Sequence, residues 1–67
     1  MDKWTELRTA LHVAKLGTVS AASDALQIHR ATVNRHIDAL EHELGARIFI
    51  RHGRGYTLTD EGQDVLR

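Results

Sequence analysis

The sequence predicts a small, mainly α-helical domain that carries a two-stranded β-hairpin near its end. Apolar residues recur at helical spacing through residues 3–44, and short stretches rich in β-branched or aromatic residues then flank the glycine-bearing segment HGRG. With 67 residues, no proline and no internal repeat, the chain has room for one core and shows no linker between domains. A deep substrate cavity is therefore not expected.

Two helices are expected before residue 27. The first is marked by four residues at helical spacing: Trp4, Leu7, Leu11 and Ala14. It is predicted over residues 3–16, with Gly17 as its stop. Thr18 is a favourable N-cap for a short second helix, VSAASDAL, which has a small-residue face. That face contains Ala21, Ala22, Ala25 and Leu26.

The third helix, at about residues 29–44, has the clearest pattern. Its apolar residues follow the i, i+4, i+7, i+11 spacing: Val33, Ile37, Leu40 and Leu44. Because this stripe must face the core, the opposite face points outward, and it contains Ala31, Arg35, Asp38 and His42. Thr32 and Asn34 flank that outward face, and Arg30 lies at its leading edge. Gly45 is expected to end the helix.

The segments ARIFIR and GYTL are predicted to pair as a hairpin around HGRG. Thr59 is then a good N-cap for a fourth helix, since Asp60 and Glu61 fall in its first turn, where the helix dipole favours negative charge. The order of three helices, a hairpin and the start of a fourth helix is that of a winged helix-turn-helix, in which the hairpin is the wing.

Charge is balanced over the chain but not along it. Nine basic and nine acidic side chains cancel, yet residues 29–54 hold five arginines against three carboxylates, together with four of the five histidines. In a winged helix-turn-helix the third helix enters the major groove. Its outward face offers Arg30, Ala31, Thr32, Asn34 and Arg35, which are types of side chain that contact phosphates or base edges.

The predicted wing, at about residues 51–56, adds two cations. Arg51 and Arg54 lie on or beside the glycine-bearing tip, from which long side chains can reach phosphates or a narrow minor groove. These positions predict DNA binding by Arg30, Ala31, Thr32, Asn34, Arg35, Arg51 and Arg54. The arginines are the expected anchors. Asn34 is expected to read a base, and its amide has the two polar groups that pair bidentately with adenine.

Nearly the whole chain resembles the amino-terminal DNA-binding domain of LysR-type transcriptional regulators. The resemblance is carried by LGTVSAASDALQI, VNRHIDALEHELGARIF and RHGRGYTLTDEG, the last with the Leu-Thr-x-x-Gly motif that leads into the linker helix. It implies a DNA-binding domain over residues 1–58 and the start of a linker helix over residues 59–67. It also implies a homodimer formed through the helix that starts near Thr59, and a small-molecule effector only where a longer chain carries a sensing domain.

The start of the third helix departs from the family. Where the family usually has Ser-Gln-Pro-Ala, then Leu or Val, then Ser, this chain has HRATVN. His29 replaces the hydroxyl N-cap and is a weaker capping residue. Arg30 stands in place of the usual glutamine and Asn34 in place of the usual serine, so the family's preferred bases do not carry over.

Other functions have less support. The sequence predicts no metal site, because no two histidines have the i, i+4 spacing of a helical zinc site. It predicts no catalysis, because neither Ser20 nor Ser23 is placed beside a histidine and a carboxylate. No cofactor is expected. A winged helix that binds only proteins is the alternative, and it would explain the zero net charge. A cytoplasmic location without a membrane span is expected. Protonation of His29, His36 or His52 near pH 6 is a further hypothesis for stronger DNA binding.

Overall fold

A computed structural model describes residues 3–66, and the parts of the predicted domains that include Met1, Asp2 and Arg67 lie outside the described residues. The helices are α1 (Lys3–Leu16), α2 (Val19–Leu26), α3 (Arg30–Leu44) and α4 (Asp60–Leu66). Between α3 and α4 lie the strands β1 (Phe49–His52) and β2 (Gly55–Leu58). This order confirms the predicted winged helix-turn-helix: α1–α3 form the helical part, β1 and β2 form the wing, and α4 follows.

The core is formed where α1, α2, α3 and the first strand meet. Its fully buried apolar residues are Ala10, Val13, Ala22, Val33, Ile37, Leu40, Ile48 and Phe49. The stripe predicted for α3 is confirmed at three of these positions, and Leu44 is half-buried at its end. The predicted outward face is also confirmed, since Ala31, Arg35, Asp38 and His42 are all exposed.

The apolar stripe predicted for α1 is confirmed in part, because Leu7 and Ala14 pack against the core but Trp4 and Leu11 are exposed. Trp4 is 76% exposed and Leu11 47% exposed, whereas the buried positions are Glu6, Thr9, Ala10 and Val13. The polar Thr9 is tolerated on the buried side because its Oγ1 pairs with His36 Nδ1 on α3 at 2.8 Å. The small-residue face predicted for α2 is wider than the buried one, because Ala22 is buried but Ala25 is exposed.

The helix ends were well marked in the sequence. Thr18 accepts a hydrogen bond from the amide of Ala21 at 3.0 Å, and Gly45 ends α3 in the left-handed conformation with a φ of 65°. The helix α3 starts at Arg30, one residue after the predicted start, because His29 has extended backbone and occupies the N-cap position. Thr59 caps α4 by accepting from the amide of Gly62 at 2.9 Å.

The hairpin is antiparallel, with Phe49 opposite Leu58 and His52 opposite Gly55, so Gly53 and Arg54 form its tip. Residues 46–48, which were predicted as strand, are not part of it. The amide of Ile48 donates to the Glu41 carboxylate instead of to a neighbouring strand. The amide of Phe49, the first residue of β1, donates to the same carboxylate. Within residues 3–66, no helix has the length and apolar content that crossing a bilayer requires.

Candidate nucleic-acid interface

The N-terminal half of α3 presents an exposed polar surface. Arg30, Ala31 and Arg35 are exposed, and Thr32 is half-buried beside them. The Arg35 guanidinium lies 3.5 Å from the Thr32 hydroxyl, one turn earlier on the same helix. The first amides of a helix and two arginines are therefore available on one surface, which is the combination that attracts phosphate groups.

Asn34 lies at the edge of this surface, on the side of α3 that faces the hairpin. It is half-buried, and its Oδ1 accepts a hydrogen bond of 2.7 Å from the Tyr56 hydroxyl on β2. One of the two polar groups of the predicted base-reading amide is thus already engaged by the protein. Sequence reasoning did not connect these residues, which are 22 positions apart.

Arg51 is also engaged within the protein. Its guanidinium donates to the Asp38 carboxylate at 2.5 Å and lies 5.4 Å from the centre of the Tyr56 ring. The hydrogen bond to Asp38 is the main cause that raises the pKa of Arg51 above its ordinary value, against a smaller effect of burial, so the side chain stays charged. The arginine predicted to reach DNA from the wing therefore lies against α3.

Glu41 completes a row of polar residues on this side of α3. Its Oε2 accepts hydrogen bonds from the backbone amides of Ile48 at 2.8 Å and Phe49 at 3.2 Å. Asn34, Asp38 and Glu41, here called the hairpin-facing row, follow the i, i+4, i+7 spacing and each contacts the hairpin or the segment that leads into it. The sequence spacing shows that these three polar residues share one side of α3, but it does not show which element lies against that side.

The hairpin tip leaves Arg54 exposed. The Arg54 amide donates to His52 Nδ1 at 3.2 Å, and His52 Nε2 lies 2.8 Å from the Thr57 hydroxyl. Because Nδ1 accepts, the proton of the neutral ring is on Nε2 and is donated to Thr57. Close to its tip, the hairpin is fixed to the rest of the domain by the Tyr56 amide, which donates to the Gly17 carbonyl at 2.8 Å.

The histidines divide into accessible and inaccessible groups. His29 is exposed at the start of α3 and makes no side-chain capping hydrogen bond within residues 3–66. His36 is only 6% exposed and pairs with Thr9, so it does not lie on the surface that would meet a phosphate. Within the described part of the chain, no group of three or more His, Cys, Asp or Glu side chains is arranged to hold a metal ion.

Comparison with known proteins places this architecture in one family. The family model described as bacterial regulatory helix-turn-helix protein, lysR family, matches residues 4–63. The chain belongs to the LysR family. This membership confirms the resemblance predicted from the sequence, and it places the chain among transcriptional regulators and not in a family of enzymes.

Curated relatives of this LysR-family chain are much longer than the chain itself. The regulator CysB of Thiocapsa roseopersicina is 43% identical over 51 residues, which are 75% of this chain and 38% of the relative. The activator BauR of Pseudomonas aeruginosa is 38% identical over 61 residues, which are 91% of this chain and 20% of BauR. The chain therefore spans 20–38% of the length of these two proteins.

Solved structures match more completely. The CbnR DBD–DNA complex superposes with a TM-score of 0.92 at 32% identity, covering 98% of this chain and 75% of that one. The complex of the BenM DBD with benA site 1 DNA has a TM-score of 0.89 at 30% identity, with coverage of 98% and 73%. These matches confirm the winged helix-turn-helix fold over nearly the whole chain.

Proposed function

We propose that this LysR-family chain is the sequence-specific DNA-binding domain of a transcriptional regulator. The observation that carries the proposal is the exposed polar surface of α3 beside a hairpin whose tip presents Arg54, in a fold shared with CbnR and BenM domains crystallised with DNA. The helix α3 enters the major groove of double-stranded DNA, and residues 51–56 contact the minor groove or the backbone.

The side chains have different roles in this proposal. Arg30, Arg35 and Arg54 contact phosphates, whereas Ala31, Thr32 and Asn34 face base edges. Arg30 lies in the first turn of a helix, where a cation opposes the helix dipole. Beside DNA that conflict disappears, because the helix N-terminus and the arginine attract the same phosphate. Arg51 reaches DNA only when it leaves Asp38, so its contribution is smaller than that of Arg54.

The remaining parts of the proposal concern the whole protein. Residues 1–58 are the DNA-binding domain, and residues 59–67 begin a linker helix through which two copies pair. A small-molecule effector would bind only where a longer chain carries a sensing domain, and the regulator works in the cytoplasm.

Titration of fluorescent duplex DNA at two salt concentrations tests the proposal. We expect binding that weakens steeply as salt rises, since phosphate contacts release counterions, and we expect selection of particular sites from a random-sequence library. Unlabelled duplexes of fixed unrelated sequence are the controls for specificity. A chain that binds no duplex even at low salt would overturn the proposal and favour the alternative, a winged helix used only for protein contacts.

Removal of single cations tests the proposed phosphate contacts. Arg35→Ala and Arg54→Ala are each expected to weaken binding to all duplexes about equally and to reduce the slope of log K against log salt by about one. Arg8→Ala is the matched control, because Arg8 is an exposed arginine on α1, outside the proposed interface. A slope that falls equally in all three variants would show that the effect is one of total charge and not of contact.

A further inference from the structure

The Asn34 side chain is held in one orientation by the hairpin. Its Oδ1 accepts from the Tyr56 hydroxyl at 2.7 Å, and within residues 3–66 its Nδ2 makes no hydrogen bond. The two atoms are bonded to the same planar carbon, so fixing the oxygen toward the hairpin directs the nitrogen away from Tyr56. The amide therefore turns its Nδ2 donor away from the hairpin, while Oδ1 faces Tyr56 with one of its two lone pairs occupied.

Tyr56 is itself fixed by three contacts that do not involve Asn34. Its backbone amide donates to the Gly17 carbonyl at 2.8 Å. Its ring meets Phe49 edge-on, with 5.7 Å between the ring centres, and Arg51 lies 5.4 Å from the ring centre on its face. Because Phe49 is fully buried, the ring is anchored to the core. The hydroxyl consequently has a defined position, and Asn34 adapts to it.

We infer that Tyr56 is a positioning residue for base recognition, which restricts Asn34 to the role of hydrogen-bond donor. The inference rests on the proposed function. In the major groove a single donor pairs with N7 of either purine, with O6 of guanine or with O4 of thymine. Cytosine presents only a donor there, so a donor from the protein cannot pair with it. The base facing Asn34 is therefore selected for an acceptor. This differs from the adenine expected of a free asparagine, which needs both polar groups of the amide.

Selection of binding sites by Tyr56→Phe and wild-type chains tests this role. The wild-type chain is expected to deplete cytosine at one position while accepting both purines. In Tyr56→Phe the ring and its contacts remain but Oδ1 of Asn34 is released, so adenine is expected to gain over guanine by at least about fivefold at that position. Loss of stability alone would weaken binding to every sequence equally and would leave this ratio unchanged.

Two further variants separate the orientation of Asn34 from other effects of the hairpin. Thr57→Val removes a neighbouring hydroxyl that pairs with His52 within the hairpin, and it should leave the selected bases unchanged. In an Asn34→Ala background, the preference at this position should be lost, and adding Tyr56→Phe should change nothing more. A Tyr56→Phe effect that persists without Asn34 would overturn the inference, because Tyr56 would then act on DNA directly.

Site selection distinguishes a wrong role for Tyr56 from a wrong proposed function. If the wild-type chain selects defined sites and Tyr56→Phe selects the same bases at every position, the positioning role is overturned and DNA recognition by α3 stands. If the wild-type chain selects no sequence at all, the proposed function is overturned and this inference with it.

Discussion

Gly55→Ala is expected to destabilise the domain by about 2–4 kcal/mol, since it combines backbone strain with a steric clash. Gly55 has a φ of 137°, a conformation that residues with a Cβ rarely adopt. A Cβ at this position would lie 2.2 Å from the Gly17 carbonyl oxygen, which is backbone and cannot rotate away. That oxygen is also the acceptor for the Tyr56 amide, so the substitution would loosen the hairpin from the helices.

Gly53→Ala is the matched control for this prediction. Gly53 lies at the tip of the same hairpin, but no described atom is within 4 Å of a Cβ built there. Its replacement should change the free energy of unfolding by less than about 0.5 kcal/mol. Urea denaturation of both variants measures the difference. Equal stabilities for the two would contradict the close approach of β2 to the turn after α1.

The helix boundaries were predictable because each depends on local chemistry. Thr18, Gly45 and Thr59 act through hydrogen bonds or conformations within a few residues of their own position, so the sequence pattern contains the whole cause. The buried face of α1 was not predictable in this way. Trp4 and Leu11 continue a good apolar stripe, but the side of α1 that is buried also includes Thr9, which pairs with His36 on α3, 27 positions later in the sequence.

The exposed side of the candidate interface was predictable, whereas its internal pairing was not. Helical geometry alone places Ala31 and Arg35 opposite the core stripe, and both are exposed. By contrast, the pairs Asn34–Tyr56 and Arg51–Asp38 join residues 22 and 13 positions apart. Such contacts depend on how the hairpin lies on α3, and no local periodicity encodes that placement.

The pairing of Arg51 with Asp38 also explains how a chain without net charge can have a cationic surface. Asp38 lies on the outward face of α3, where an unpaired carboxylate would repel phosphates. Its ion pair with Arg51 neutralises that charge locally, so Arg30, Arg35 and Arg54 remain as the cations of the proposed interface. The acidic residues Asp60 and Glu61 lie instead in the first turn of α4, where the helix dipole stabilises them.

Glu41→Ala is expected to lower the free energy of unfolding by about 2–4 kcal/mol, because it leaves two backbone donors without a partner. The amides of Ile48 and Phe49 donate to Glu41 Oε2, and both residues are fully buried, so the loss of their shared acceptor is costly. The ion pair with Arg51, at 4.0 Å between charged atoms, adds less because it is partly exposed to solvent.

Glu41→Gln separates the hydrogen bonds from the charge. Its amide oxygen can still accept from both backbone donors, but a neutral acceptor bonds about half as strongly as a carboxylate, so we expect this variant to recover roughly half of the stability lost in Glu41→Ala. Glu43→Ala, at an exposed position of the same helix, should stay within about 0.5 kcal/mol of the wild-type chain. If all three variants unfold at the same urea concentration, Glu41 does not hold the start of β1 against α3. The hairpin-facing row would then be a set of surface contacts and not the connection that positions the wing.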